Sequence, residues 1–181
     1  QVGTGWMSEH LHSAVAELLC EGFLLTTRPC AASPGAYGMD GAIHAALREL
    51  GCDADAFLRP RRQSVVRKWA FDKALQRASA LVAADNGSGR FYVSGAGRGV
   101  LDRCSKLLQP DGSTTALSNE QQLALRHVIC SLPTLGLNGV ALAYRTVANP
   151  QVLSAQQLSD SSGHEAYLSS WLGALYEHDG L

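Results

Sequence analysis

The sequence carries no excess of either charge. Its formal net charge is −1, so it lacks the broad basic footprint of nucleic-acid binders, and any anion site must be local. It also has no uninterrupted apolar run of roughly 18 residues, the length that a membrane-spanning helix needs. The opening Gln1-Val2-Gly3-Thr4-Gly5 has neither a charged start nor a following apolar stretch, which argues against a secretory signal. No terminal signal is recognisable, as expected of a piece cut from a larger protein. The five cysteines, Cys20, Cys30, Cys52, Cys104 and Cys130, are odd in number and include no CxxC pair. That disfavours a disulfide framework and a zinc knuckle. Most of these thiols are expected as small buried hydrophobes in a reducing compartment.

Familiar catalytic signatures are missing too. His10, His12, His44, His127, His164 and His178 are scattered, and His10-Leu11-His12 is too closely spaced for a metal pair on one helix face. Ser94-Gly95-Ala96-Gly97 lacks the leading glycine of a nucleophile elbow. Gly95-Ala96-Gly97-Arg98-Gly99 is rich in glycine but is neither GxGxxG nor a P-loop. No catalytic residue and no metal ligand set is therefore expected. What the chain does have is substance for a core: 181 residues, 46% of them hydrophobic and 17% charged. One globular domain over residues 1–181 is the expectation.

Periodicity supplies a coarse plan. Leu11, Val15, Leu18 and Leu19 predict a helix over residues 9–21 with Ser8 as its N-cap. Residues 28–38 hold Pro29, Pro34, Gly35 and Gly38 and read as a loop. A second helix is predicted from Asp40 to Leu50, stopped by Gly51 as a C′ glycine. Arg59, Arg61 and Arg62 around Pro60 mark an exposed connection. Strands are expected over 64–71 and 78–84, then a turn at Asp85-Asn86-Gly87-Ser88-Gly89 and a strand over 90–94. Residues 96–107 read as helix and Pro110-Asp111-Gly112 as a turn. Ser118 and Gln121 resemble a capping box for a helix that runs to Leu132 and is ended by Pro133. Residues 140–147 are a further strand, 149–165 a loop and 167–176 a last strand. Hairpins mixed with helix pairs predict an α+β domain, an antiparallel sheet with helices packed to its faces.

A series of short patches keeps a fixed order. It runs Gly38-Met39-Asp40-Gly41-Ala42-Ile43, Trp69-Ala70-Phe71-Asp72, Gln76-Arg77-Ala78-Ser79 and Tyr92-Val93-Ser94-Gly95-Ala96. It continues through Val100-Leu101-Asp102-Arg103-Cys104 and residues 135–145 to Trp171-Leu172-Gly173-Ala174-Leu175 and Asp179. In order and spacing these patches resemble the nucleotide-binding (N) domain of P-type cation-transporting ATPases, and most of all that of plasma-membrane-type calcium pumps. The resemblance covers nearly the whole chain. It implies a twisted antiparallel sheet flanked by helices, in agreement with the plan above.

The resemblance also implies a site. Phe71 matches the phenylalanine that stacks on the adenine of ATP, a role suited to an aromatic face beside a dry pocket. The other reading of Phe71 is a core residue at the sheet edge, with Trp69 as its packing neighbour on the same face. Asp40 matches an acidic position that contacts the adenine; as a residue opening a helix it equally suits an N-cap. Ser94-Gly95-Ala96 stands where the family has Lys-Gly-Ala, so Ser94 replaces a lysine at the pocket mouth, and Gly95 lets backbone approach the ligand. Gln76 stands at a lysine position of the calcium pumps, and Asn138 at that of an arginine that reaches the phosphates. Both also fit as exposed residues without a ligand. Lys73 and Arg77 remain as nearby cations.

The implied ligand is ATP, accompanied by Mg2+ in a full-length pump. The domain would position Mg-ATP for phosphoryl transfer to an aspartate in another domain. No Asp-Lys-Thr-Gly-Thr motif occurs here, so that aspartate lies outside this chain, and the fragment is not expected to turn over ATP. The implied partners are the phosphorylation and actuator domains of the same polypeptide. The fragment itself is expected to be a monomer at the cytoplasmic face of a membrane, with neither nucleic-acid binding nor membrane insertion. The missing cations leave an alternative open: a degenerate N-domain-like scaffold or interaction domain that no longer binds nucleotide.

Overall fold

The computed structural model describes residues 11–29, 38–84, 86–148 and 150. In chain order the elements are α1 (Ser13–Thr26), α2 (Met39–Glu49), α3 (Ala54–Leu58), β1 (Val65–Asp72), β2 (Arg77–Ala83), β3 (Gly89–Ala96), α4 (Gly97–Leu101), β4 (Lys106–Leu108), β5 (Thr114–Ala116), α5 (Asn119–Ser131) and β6 (Val140–Val147). Short 3-10 turns cover Arg62–Ser64 and Leu132–Leu135. A four-stranded sheet runs in the order β1-β2-β3-β6, and every neighbouring pair is antiparallel. β4 and β5 form a separate hairpin. The predicted α+β class is the observed one.

Side-chain alternation builds a core on each face of the sheet. On one face Trp69, Leu81, Phe91, Val93, Ala143 and Val147 pack with Val100 of α4. On the other, Ala80, Val82 and Tyr92 meet Leu25 of α1. Beyond that face lies a helical layer in which Ala16, Cys20 and Leu24 of α1 pack with Leu47, Cys52 and Phe57. β2 sits between β1 and β3 with Arg77 to Val82 all buried, the polar Arg77 and Ser79 included.

α1 carries the contact between the layers. Gly22 permits it: a Cβ there would meet Leu142 Cδ2 at 2.6 Å and Tyr92 Cδ1 at 2.9 Å. One residue earlier, Glu21 is turned into the interface at 8% exposure. The fully buried Tyr92 hydroxyl donates to its Oε2, and Arg61 Nε and Arg90 Nη1 lie 3.7 and 3.5 Å from its carboxylate oxygens. Burial and the adjacent Glu21 carboxylate push the Tyr92 phenol well above its ordinary pKa, so it remains a donor. The carboxylate is thus tied to a strand and to two cations, and removing a partner would leave buried charge uncompensated.

Several boundaries differ from the sequence-based expectation. Leu11 and His12 precede α1, whose N-cap is His12: its Nδ1 accepts from the Ala14 N–H at 3.3 Å. The helix also runs further than predicted, to Thr26, where the Thr26 and Thr27 hydroxyls donate to the Gly22 and Phe23 carbonyls at 2.7 Å. The predicted cap, Ser8, lies outside the described residues. α2 starts at Met39 with Gly38 as its cap. Asp40 sits in its first turn and does not cap it, although a carboxylate there still complements the helix dipole. Gly51 ends α2 as expected, with φ 92°. The Gly51 and Cys52 N–H groups donate to the Arg48 and Leu47 carbonyls at 3.0 and 2.8 Å, a Schellman arrangement.

α3 was not anticipated; Asp53 caps it, its Oδ1 accepting from the Asp55 and Ala56 N–H groups at 3.1 Å. The helix expected over 96–107 ends at Leu101, and Lys106–Leu108 instead pairs with Thr114–Ala116. Lys106-Leu107-Leu108 is too short a run to carry a period, and the turn at Gly112, with φ 89°, decides in favour of a hairpin. The Ser118–Gln121 capping box is present. α5 ends at Ser131, and Pro133 sits at the start of the following 3-10 turn, where no N–H is needed. The predicted loop over 149–165, the strand over 167–176 and the Trp171 to Asp179 patches lie outside the described residues, apart from Pro150.

Candidate functional site

The strand register collects most of the sequence-derived candidates at one end of the sheet. Asp72, Arg77, Gly95 and Ala141 form a row across all four strands. Phe71, Lys73, Gln76, Ser94 and Asn138 each lie within a few residues of that row. Just beyond it, Ala96 N donates to the Gln76 carbonyl at 3.0 Å, and Gly97 N to the Gly139 carbonyl at 3.3 Å. The β1–β2 turn, the end of β3 and the loop before β6 are therefore neighbours.

Phe71 owes its position to an irregularity in β1. Trp69 pairs with Ser79 and Asp72 with Arg77, so Ala70 and Phe71 together oppose Ala78. This extra residue is a bulge, and bulges re-aim side chains. Trp69 stays in the core at 8% exposure, edge-on to Phe91 with ring centroids 5.7 Å apart. Phe71 is 51% exposed. The expected common face of Trp69 and Phe71 is thus not observed. Among the described residues Phe71 is the one exposed aromatic ring. β1 is also an edge of the described sheet.

The following turn is tightly built. Asp72 Oδ1 accepts from the Ala74 and Leu75 N–H groups at 2.7 and 2.9 Å. Gln76 adopts a left-handed φ of 52°. Its carbonyl faces Gly95 so closely that a Cβ on Gly95 would lie 2.3 Å from the oxygen. The glycine at this position is therefore demanded by strand packing. Lys73 and Gln76 are exposed on the turn, and Asn138 is exposed on its loop. Arg77 is 7% exposed, and its guanidinium is sealed into the fold. Ser94 is 5% exposed; it pairs with Ala78 and Leu142 and alternates onto the face of Tyr92 that α1 covers.

Asp40 stands on a different element, the first turn of α2, where Arg28 Nε lies 3.4 Å from its Oδ2. With the arginine side chain 83% exposed, this ion pair contributes little to stability. One turn further on, His44 Nε2 lies 2.9 Å from Thr27 Oγ1. That hydroxyl donates to the Phe23 carbonyl, so it accepts from Nε2–H, which assigns the tautomer. Burial lowers the His44 pKa further than Asp40 raises it, so the ring is neutral at pH 7. Lys68 on β1 acts electrostatically on His44 and is itself held below the usual lysine range by partial burial. Sequence reading missed Lys68 as a cation near α2. Its spacing one residue before Trp69 on an edge strand was the available signal.

A cavity of about 680 Å³ lies elsewhere, between α1, α4, the β4–β5 hairpin, α5 and β6. None of the candidate residues lines it. Its walls are mostly aliphatic, with Lys106 and Arg145 as the cationic members. An apolar gap of this kind does not supply what a polyphosphate needs, and the sheet end with its exposed ring is the better candidate. Among the described residues no group of three His, Cys, Asp or Glu side chains could hold a metal. No helix among them is long and apolar enough to cross a membrane.

Comparison with known proteins adds two findings. Residues 39–172 match the family described as P-type ATPase, cytoplasmic domain N. A probable calcium-transporting ATPase 9, plasma membrane-type, of Oryza sativa subsp. japonica is 26% identical over 98 residues, which is 54% of this chain and 9% of that protein. The chain thus spans about a tenth of that relative's length.

Proposed function

The chain belongs to the family of P-type ATPase cytoplasmic N domains, and from that premise we propose that it binds ATP at the sheet end around Phe71. The observation that carries the reading is the Phe71 ring itself. It is 51% exposed at a bulge, while Trp69, two residues away, is 8% exposed in the core. A half-exposed ring on an ordered strand is a ready stacking surface for a purine. Asp40 would contact the adenine from α2. Gln76, Lys73 and Asn138 would meet the ribose and phosphates from the turn and the β6 loop, with Gly95 as the strand backbone beneath them. Ser94 would contribute through its buried position under α1.

Residues 1–181 are read as one domain of a larger cation pump, calcium-transporting by analogy with the rice relative. Within such a pump the domain positions Mg-ATP toward an aspartate carried by another domain of the same polypeptide. Magnesium would arrive with the nucleotide phosphates, since the described residues supply no ligand cluster. The domain's own contribution is binding and orientation. Its expected place is the cytoplasmic face of a membrane, as part of a multi-pass protein.

A second reading is a scaffold that has kept the fold and lost the ligand. Two features favour it: Ser94 is buried at a position where the resemblance implies a lysine, and Asn138 is neutral where it implies an arginine. One experiment separates the two. ATP, ADP and AMP are titrated into the chain and amide chemical shifts are followed. Binding should perturb amides around Phe71, Asp40 and Gly95. The three nucleotides should bind within a few-fold of one another, because adenine contacts dominate when phosphate-binding cations are lost. A flat titration at millimolar ATP establishes the scaffold.

A further inference from the structure

The connection between α3 and β1 carries a motif that the nucleotide site does not use. Arg61-Arg62-Gln63-Ser64-Val65 places guanidinium groups two and three residues before a hydroxyl, and an aliphatic residue directly after it. Ser64 is the one serine or threonine of the chain with arginine at both of those positions. Charge patterns of this kind are what a kinase with an acidic substrate groove discriminates.

The structure puts the motif at the surface. Arg59, Arg62 and Gln63 are exposed, and Ser64 is half-buried. Arg62–Ser64 is a single 3-10 turn, with the Ser64 N–H donating to the Arg61 carbonyl at 3.1 Å. Hydrogen bonds in such turns have poor geometry and little to lose. β1 follows as an edge of the described sheet, and its pairing is irregular at its start, between Val65 and Arg67. The segment can therefore straighten into an extended substrate while the sheet interior stays paired.

Arg61 links this turn to the core. Its guanidinium carbon lies 3.9 Å from the Phe57 ring centroid, and its Nη1 donates to the Phe57 carbonyl at 3.1 Å. Its Nη2 and Nε lie 3.8 and 3.7 Å from carboxylate oxygens of Glu17 and Glu21. Both distances exceed the roughly 2.7–2.9 Å of a tight charge-assisted bond. A stronger anion nearby can take this arginine, and Glu21 would then keep only Tyr92 and Arg90 of the partners named above.

We propose that Ser64 is a phosphorylation site for an arginine-directed serine kinase, and that its phosphate draws Arg61 away from Glu21. The Ser64 Oγ attacks the γ-phosphorus of an ATP held by the kinase. Its proton passes to the kinase's catalytic carboxylate, the bond from the γ-phosphorus to the bridging oxygen breaks, and ADP leaves. The product carries about −1.5 to −2 charge at pH 7, one turn from Arg61. Pairing of that guanidinium with phosphate leaves the buried Glu21 carboxylate less compensated, which weakens the hold of α1 on the sheet. Ser64 precedes β1 and Phe71 lies near its end, roughly 20 Å away along the strand, so the phosphate does not itself obstruct the proposed nucleotide site.

The test reads mass and melting, so its outcome is independent of the ATP-binding reading. The folded chain is incubated with Mg-ATP and the catalytic subunit of cAMP-dependent protein kinase, an arginine-directed enzyme, and peptides are mapped by mass. The expected product carries one phosphate, on Ser64, and Ser64→Ala removes it. Arg62→Ala, at an exposed side chain, should slow incorporation about 10- to 100-fold, the worth of one hydrogen bond to a charged group. Ser105 is exposed but has a single arginine, Arg103, two residues before it, and should stay unmodified. The phosphorylated chain should melt about 2–4 °C lower, and phosphatase should restore it. Absence of phosphate from Ser64 in the folded chain overturns the proposal, even where a peptide of residues 57–69 accepts it. Equal rates for wild type and Arg62→Ala overturn the arginine-directed recognition. Stoichiometric phosphate on Ser64 with an unchanged melting temperature overturns the coupling through Arg61.

Discussion

Phe71→Ala separates a ligand contact from a packing contact. Fully burying a phenylalanine contributes roughly 1.5–3 kcal/mol. Phe71 is 51% exposed, so its truncation should remove only about half of that, near 1 kcal/mol. For a chain of this size the melting temperature should fall by about 2–4 °C. Aromatic stacking on a base is worth roughly 1–3 kcal/mol, which corresponds to a loss of about 5- to 150-fold in ATP affinity. Trp69→Ala is the control. That ring is 8% exposed and packs on Phe91, so its removal should cost about 3–5 kcal/mol of stability. Calorimetric titration with ATP and thermal melts of the three proteins give both quantities. A Phe71→Ala chain that melts 10 °C or more lower, with unchanged affinity in its folded fraction, would refute the stacking role and return Phe71 to the core.

Tyr92→Phe deletes the hydroxyl that donates to the buried Glu21. A hydrogen bond to a charged group contributes about 1.5–3 kcal/mol, and urea unfolding should show a loss of that size; an unchanged midpoint would mean that Arg61 and Arg90 suffice. His44 should make stability depend on pH. Its folded pKa lies below the ordinary 6.5, so in that window the unfolded chain binds the extra proton. The contribution is complete above pH 6.5 and declines as pH falls through the folded value. Urea midpoints of wild type and His44→Gln between pH 7.5 and 5 should show the steeper decline in wild type, and parallel curves would contradict the half-buried neutral ring.

Local signals in the chain suffice for the α+β class, the strands of the sheet and the capping box at Ser118. These follow from local signals: alternation along a strand, a glycine past a helix end, a serine and a glutamine three residues apart. Gly51 was legible for the same reason. The family was also legible, because ordered short patches survive even at low identity. The remaining features arise from packing between distant segments. Ala70 and Phe71 opposing a single residue of β2 is a matter of register, and no pattern within β1 distinguishes a ring aimed into the core from one turned to solvent. Gly95 is required by a carbonyl from the neighbouring turn, a contact that its place in the sequence does not record. Asp40 lost its capping role because the backbone enters α2 two residues earlier. β4 reads as helix in the sequence because Lys106-Leu107-Leu108 is too short to carry a usable period, and its partner lies across a turn. Cys20 and Cys52 read as unrelated thiols until α1 and α2 packed. Contacts between residues far apart in the chain are created by chain reversal and layer packing, and composition or spacing records neither.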